Sequence, residues 1–237
     1  FNPKNTIDVG ASFESFFIDY ADSVDGAVYT PPLPGQYIKS LDTHEDGLNL
    51  LQAFGELQHK INSRLTLYGG VHFQHFFFNS TNAVDPRLSI SYQLSKGSKF
   101  SLAYGRHSQT QPLYIYFVED YDRTKNEYLQ TNNDLRFTNA QHFVASYNQM
   151  IGENLKLKIE SYYQYINNVP VEKESSSFSM VNEGNTFHQS RVNNLINNGL
   201  GRNYGAEITL EKYLSKNYYF LVTTSLFDSK YRASDKV

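Results

Sequence analysis

A chain of 237 residues with a net charge of −3 and only 19% charged side chains carries no broad basic field for nucleic acid. It has no cysteine, which excludes a disulfide framework or a thiolate metal site. No apolar run approaches the roughly 20 residues of a membrane-crossing helix, yet a barrel stays open, because its strands alternate lipid-facing apolar and lumen-facing polar residues and average out as polar. The 19 Tyr and 17 Phe, with no Trp, suit strands and membrane interfaces. Phe1-Asn2-Pro3-Lys4 lacks the charged and apolar regions of a signal peptide, so Phe1 reads as an internal start. The polar stretch 233–237 reads as a second cut.

Period-2 alternation then recurs along the chain, the mark of strands with two unlike faces. Strands are expected at 6–19; around 51–58, where Leu51, Ala53, Gly55 and Leu57 alternate with Gln52, Phe54, Glu56 and Gln58; and at 64–78, 87–94, 99–107, 140–150, 155–166, 202–214 and 218–231. Tight polar turns are expected at 61–63, 95–98, 152–154 and 215–217, and long links at 21–47, 79–86, 108–139 and 167–201. Short and long links alternate, as short periplasmic turns and long extracellular loops do in outer-membrane barrels. The strands also run to about twice the ~5–6 residues usual in soluble domains. The expected fold is all-β: an antiparallel up-and-down transmembrane barrel, about nine strands of it, with the first strand running outward. Leu65, Leu67, Val71, Leu88, Ile90, Leu155, Leu157 and Ile159 should face lipid, while Thr66, Tyr68, Ser89, Ser91, Lys158 and Glu160 face inward.

Hydrolase, zinc-protease, phosphate-loop and calcium-loop motifs are missing, so neither catalysis nor a cofactor is expected. Two histidines share the inward parity at facing strand ends, His107 and His142, with His72 two strands away; imidazole suits iron, and lumen lining is the plainer alternative. His72 and His75 have opposite parity and cannot share a site; His75 is expected in an aromatic girdle with Phe76, Phe77 and Phe78. Recognition tends to collect in long loops, so ligand contacts are expected from Tyr114, Tyr116, Glu119 and Arg123 in 108–139 and from Phe178, Phe187, His188 and Arg191 in 167–201. Phe117, Tyr121 and Tyr128 extend the first aromatic cluster, whose alternative role is packing of the loop on itself.

Three stretches carry a family resemblance. They are Tyr104-Gly105-Arg106-His107-Ser108-Gln109 followed by Pro112-Leu113-Tyr114-Ile115-Tyr116-Phe117; Glu160-Ser161-Tyr162-Tyr163-Gln164-Tyr165 followed by Asn168-Val169-Pro170-Val171; and Gly199-Leu200-Gly201-Arg202-Asn203-Tyr204-Gly205-Ala206-Glu207. Together they resemble the barrel of TonB-dependent receptors of the Bacteroidetes type. The resemblance implies a Gram-negative outer membrane, a barrel of about 22 strands around an N-terminal plug, energy from the TonB complex and, for some members, a surface lipoprotein partner. No plug or TonB-contacting segment is legible, so residues 1–237 are expected to be a partial barrel domain. Uptake of an iron chelate, glycan, peptide or vitamin is the expected function, against a passive porin-like channel or a structural or secretion-associated barrel.

Overall fold

A computed structural model describes residues 3–17, 19–20, 41–42, 48–122, 124–183 and 192–235. Nine strands form one antiparallel sheet in which each pairs with its neighbours in sequence. They are β1 (Asn5–Phe16), β2 (Leu48–Lys60), β3 (Leu65–Phe76), β4 (Thr81–Ser95), β5 (Ser98–Gln109), β6 (Thr138–Ile151), β7 (Leu155–Glu172), β8 (Leu195–Ser215) and β9 (Tyr218–Arg232). All nine expected strands are present, in an all-β meander.

Register shows why one sequence makes two surfaces. The row Ile7, Leu57, Gly69, Leu88, Tyr104, Phe143, Tyr163, Tyr204, Asp228 crosses all nine strands and is apolar or aromatic until its last member. The next row, on the opposite face, reads Asp8, Glu56, Gly70, Arg87, Gly105, His142, Gln164, Asn203, Ser229, with no apolar side chain. A one-residue slip in any strand would put polar or charged side chains into lipid, which is what fixes the pairing. The polar row is knitted together: Arg87 meets Glu56 at 3.7 Å, Asn203 donates to Gln164, and the Ser229 hydroxyl donates to Asn203 Oδ1 at 2.6 Å. Charges lower on this face pair likewise, Lys156 with Glu211 at 3.8 Å and Lys158 with Glu160.

Turns at the periplasmic end are tight, as expected. The outer end departs from expectation in two places. The link expected at 79–86 is a turn over Phe77–Ser80, closed by Ser80 at φ 57°, and β4 begins at Thr81. Pro86 suggested a loop but pairs with Val71 of β3, while the β4–β5 ladder starts only at Arg87. Above that point the Asp85 side chain replaces the ladder, its Oδ2 accepting the Ser108 backbone N–H at 3.0 Å. A proline is tolerated because one side of its strand is already released from pairing.

The second departure is the outward extension of β7 and β8. The Asn-rich run 193–198 was expected in a loop; most of it is strand, and the link shrinks to 173–194. Register slips around Val169 and Pro170, and Gly199 fits the resulting crowding: a Cβ there would sit 2.5 Å from Val171 Cγ1 and 2.9 Å from the Val169 carbonyl oxygen. Gly199→Val should therefore cost about 2 kcal/mol. Gly55→Ala, whose new Cβ meets only Val9 Cγ1 at 3.9 Å, should stay within about 0.5 kcal/mol. Thermal unfolding of both variants in detergent checks the contrast. Most of the expected 21–47 loop lies outside the described residues, apart from a two-residue ribbon, Asp19–Tyr20 with Leu41–Asp42.

Candidate functional site

The link between β5 and β6 is folded, not extended. Pro112 leads into a single helical turn, α1 (Leu113–Tyr116), and two short strands follow, Glu119–Asp122 and Glu127–Gln130, with Tyr121 opposite Tyr128. Ile115, Tyr116 and Phe117 bury themselves with Leu135 and Phe137 from the same link against Leu48, Leu50, Phe76 and Leu195 from the strand ends. The rings interlock: Phe76 and Phe78 lie 5.5 and 5.6 Å from Tyr116, and Phe78 lies 5.2 Å from Phe117. An apolar core has formed at the outer end, where a barrel wall alone has none.

Asparagines tie this cap together, because a carboxamide offers the same donor and acceptor as a peptide group. Asn132 is fully buried; its Nδ2 donates to the Ile115 and Val192 carbonyls at 3.0 and 2.9 Å, and its Oδ1 accepts the Leu195 N–H at 3.0 Å. Asn79 donates to the Asn133 and Leu135 carbonyls, and Asn197 accepts the Arg136 N–H while donating to the Asn168 carbonyl. Asn132→Leu should leave three buried backbone groups unpaired, a local loss of about 3 kcal/mol. Hydrogen exchange at the Leu195 amide should then quicken on the order of a hundredfold.

Where the cap meets the inward face there is a cavity of about 650 Å³. His107, His142 and Gln164 line it from the strands, Gln111 and Tyr114 from the cap, and Glu183 from the β7–β8 link. The rings of His107 and His142 stand 5.0 Å apart at 88°, and His142 Nε2 lies 3.1 Å from Gln164 Nε2. Gly105 lies beneath them; a Cβ there would come within 3.1 Å of His107 Nε2. No group of three or more His, Asp or Glu side chains placed to hold a metal occurs among the described residues.

The structure brings together some expected site residues and separates others. Tyr114, His107 and His142 share the cavity. Tyr116 is 1% exposed; its hydroxyl accepts the Gln111 N–H at 3.1 Å, and burial pushes its pKa up to about 12. Its ring therefore anchors the cap and leaves no face for a bound molecule in this arrangement. Phe178 packs against the same core. Glu119 opens the ribbon, with Oε2 buried and lacking a hydrogen-bond partner among the described residues. Arg123, Phe187, His188 and Arg191 lie outside the described residues. The expected girdle around His75 is corrected in part: Phe77 is exposed and stacks edge-on with His75 at 4.4 Å, but Phe76 turns inward and is buried in the cap core. Sequence reasoning missed Gln111 and Gln164 as cavity residues; the parity of Gln164 beside His142 was the available signal.

A family profile described as TonB dependent receptor-like, beta-barrel, matches residues 2–236. No curated protein sequence matches this one significantly. Among solved structures, the FrpB iron transporter from Neisseria meningitidis is similar over 100% of this chain and 35% of its own, with a TM-score of 0.65 at 13% identity. The siderophore receptor PirA from Pseudomonas aeruginosa is similar over 96% of this chain and 40% of its own, with a TM-score of 0.67 at 12% identity. The outer membrane transporter YddB from Escherichia coli is similar over 96% of this chain and 30% of its own, with a TM-score of 0.58 at 13% identity. These neighbours are transporters and receptors rather than enzymes, and the chain spans about a third of their length. Such identities show the shared fold; the profile, covering nearly the whole chain, shows more: this chain belongs to the TonB-dependent receptor-like β-barrel family of the Gram-negative outer membrane.

Proposed function

We propose that this chain is the barrel portion of a longer receptor, of the Bacteroidetes type, that imports a scarce nutrient with energy delivered through TonB. The observation that carries the reading is the cavity in which a folded outer cap meets the polar inward row at His107 and His142. A passive channel has no need of a cap held by its own apolar core. The plug lies outside these residues in this reading, which the one-third span of the solved neighbours supports. A surface lipoprotein would seat on the cap.

Among the candidate cargoes an iron chelate is favoured. FrpB is named an iron transporter and PirA a siderophore receptor, and two adjacent imidazoles can complete the coordination of a metal that arrives with its own donors. Tyr114 and Glu119 are the described loop residues proposed to meet the ligand, with Arg123, Phe187, His188 and Arg191 completing the set from outside the described residues.

The test is uptake of a radiolabelled ferric chelate by cells expressing the full-length protein. Uptake should fall to background when TonB is deleted or the proton gradient is collapsed. In the purified receptor, His107→Ala with His142→Ala should weaken ferric-chelate binding on the order of tenfold. Uptake that continues in de-energised cells would leave the porin reading standing.

A further inference from the structure

His142, Gln164 and Asn203 stand opposite one another on β6, β7 and β8, inner strands of the sheet that are paired on both sides. All three side chains share the inward face and are half-buried. They are joined end to end. The Asn203 side-chain amide donates to Gln164 Oε1, and Gln164 Nε2 lies 3.1 Å from His142 Nε2. A carboxamide nitrogen donates and its oxygen accepts, and neither can do the other's work. With its oxygen taken by Asn203, Gln164 turns its N–H to His142. Nε2 of His142 is therefore the ring nitrogen without a proton, and in the neutral ring the proton lies on Nδ1.

The other tautomer would set two N–H groups head to head at Nε2. Relieving that clash requires both carboxamides to turn together, because Gln164 cannot offer its oxygen to His142 while Asn203 holds it. The two nitrogens of an imidazole point in nearly opposite directions. With Nε2 turned along the row toward β7, Nδ1–H faces back toward β5, the strand of His107. The His107 ring stands there, 5.0 Å away and at right angles. Among the described residues neither His142 Nδ1 nor either nitrogen of His107 has a hydrogen-bond partner. A metal bonds to an unprotonated imidazole nitrogen, and the group behind a ligating histidine is ordinarily an acceptor: a carboxylate, a carbonyl or a water. Behind His142 stands a donor instead.

We propose that Gln164, held by Asn203, is a positioning residue that keeps His142 in the Nδ1–H form. The two imidazoles of the cavity then do different work. His107 supplies the nitrogen that bonds a metal, and His142 supplies an N–H to an anionic oxygen of the chelator around it. The cargo this suits is a metal chelate with an open position beside an exposed carboxylate or phenolate oxygen; a bare cation meets one usable nitrogen rather than two. This rests on the reading of the cavity as the capture site for a chelated metal, and it divides between the two rings the work given to them there.

The full-length protein, isotopically labelled in histidine, is examined by solid-state NMR without cargo at a pH where imidazole is neutral, the His142 signals being those lost in H142A. Wild-type His142 should carry its proton on Nδ1. A proton on Nε2, a result that requires no binding measurement, would overturn the proposal. Zn2+ alone is then titrated into the folded protein. Gln164→Glu has the same shape but only accepts, so it draws the proton to Nε2 and should raise Zn2+ affinity on the order of tenfold. Gln164→Met adds no charge and releases His142 from the donor, and should raise it several-fold. Both gains should vanish when His142→Ala is added. A residue that merely supports the cavity wall would weaken binding when replaced. Zn2+ affinity that falls or stays level in the folded variants would therefore overturn the proposal, as would a gain that survives His142→Ala. Both measurements are made without cargo, so they stand or fall apart from the uptake of a ferric chelate by cells.

Discussion

Replacing residues 111–136 of the full-length protein with a four-residue turn is expected to abolish uptake while the barrel still inserts. Gln109 and Thr138 are cross-strand partners, so their ends already lie at turn-closing distance and the β5–β6 ladder below needs nothing from the excised segment. What goes is one wall of the cavity, Gln111 and Tyr114, together with the ring cluster on Phe76 and Phe78. Asn132 goes too, releasing the Leu195 N–H and the Val192 carbonyl of the neighbouring link. Loss of a wall and of its support should weaken ligand capture on the order of a hundredfold or more, equivalent to about 3 kcal/mol of contacts. Heat-modifiable migration on a gel reports insertion, and labelled ligand reports uptake. Uptake by an inserted, cap-less barrel would show that the cavity at His107 and His142 is not the point of capture.

The barrel wall was legible because its information is local. Alternation at 65–71 or 155–159 is decided by the two-residue side-chain period, and tight polar turns fix which strands are neighbours. The approach of His107 to His142 was legible for the same reason: two inward residues on adjacent antiparallel strands meet once register is set. The cap was not legible in this way. Its core draws Leu48, Phe76, Ile115, Leu135 and Leu195 from separate parts of the chain. An aromatic residue in a long link reads alike whether it waits for a ligand, as proposed for Tyr114, or closes a core, as Tyr116 does. Pro86 and the Asn-rich run were misread as loop because their local propensity is loop-like. What overrides it is tertiary: a ladder released on one side of Pro86, and Asn197 bridging Arg136 and Asn168.

Asp85 is where that override is concentrated, and Asp85→Leu is expected to be among the most damaging single substitutions in the wall. Its carboxylate is 1% exposed and stands where the β4–β5 ladder stops. Oδ2 accepts the Ser108 N–H at 3.0 Å and Gln74 Nε2 at 3.2 Å, while Oδ1 lies 2.6 Å from the Ser108 hydroxyl. Arg106 Nε and His72 Nδ1 stand 3.7 and 3.9 Å away. One side chain thus closes a seam between two strands from both faces of the sheet. A leucine fills the space but accepts nothing, leaving the Ser108 N–H and one of the two Gln74 amide hydrogens without a partner at about 1–3 kcal/mol each, while the other Gln74 hydrogen keeps the Ser108 carbonyl at 2.9 Å. Half-exposed Arg106 recovers part of its loss in water. The expected net is about 4 kcal/mol, with the damage confined to the outer ends of β4 and β5 until the barrel fails to assemble. Asp85→Asn keeps one acceptor and should fall between leucine and wild type. The fraction of heat-modifiable barrel and the exchange rate of the Ser108 amide measure the two levels. If Asp85→Leu assembles like wild type with a protected Ser108 amide, then the strands close above Pro86 on packing alone, and the carboxylate is not what holds the seam.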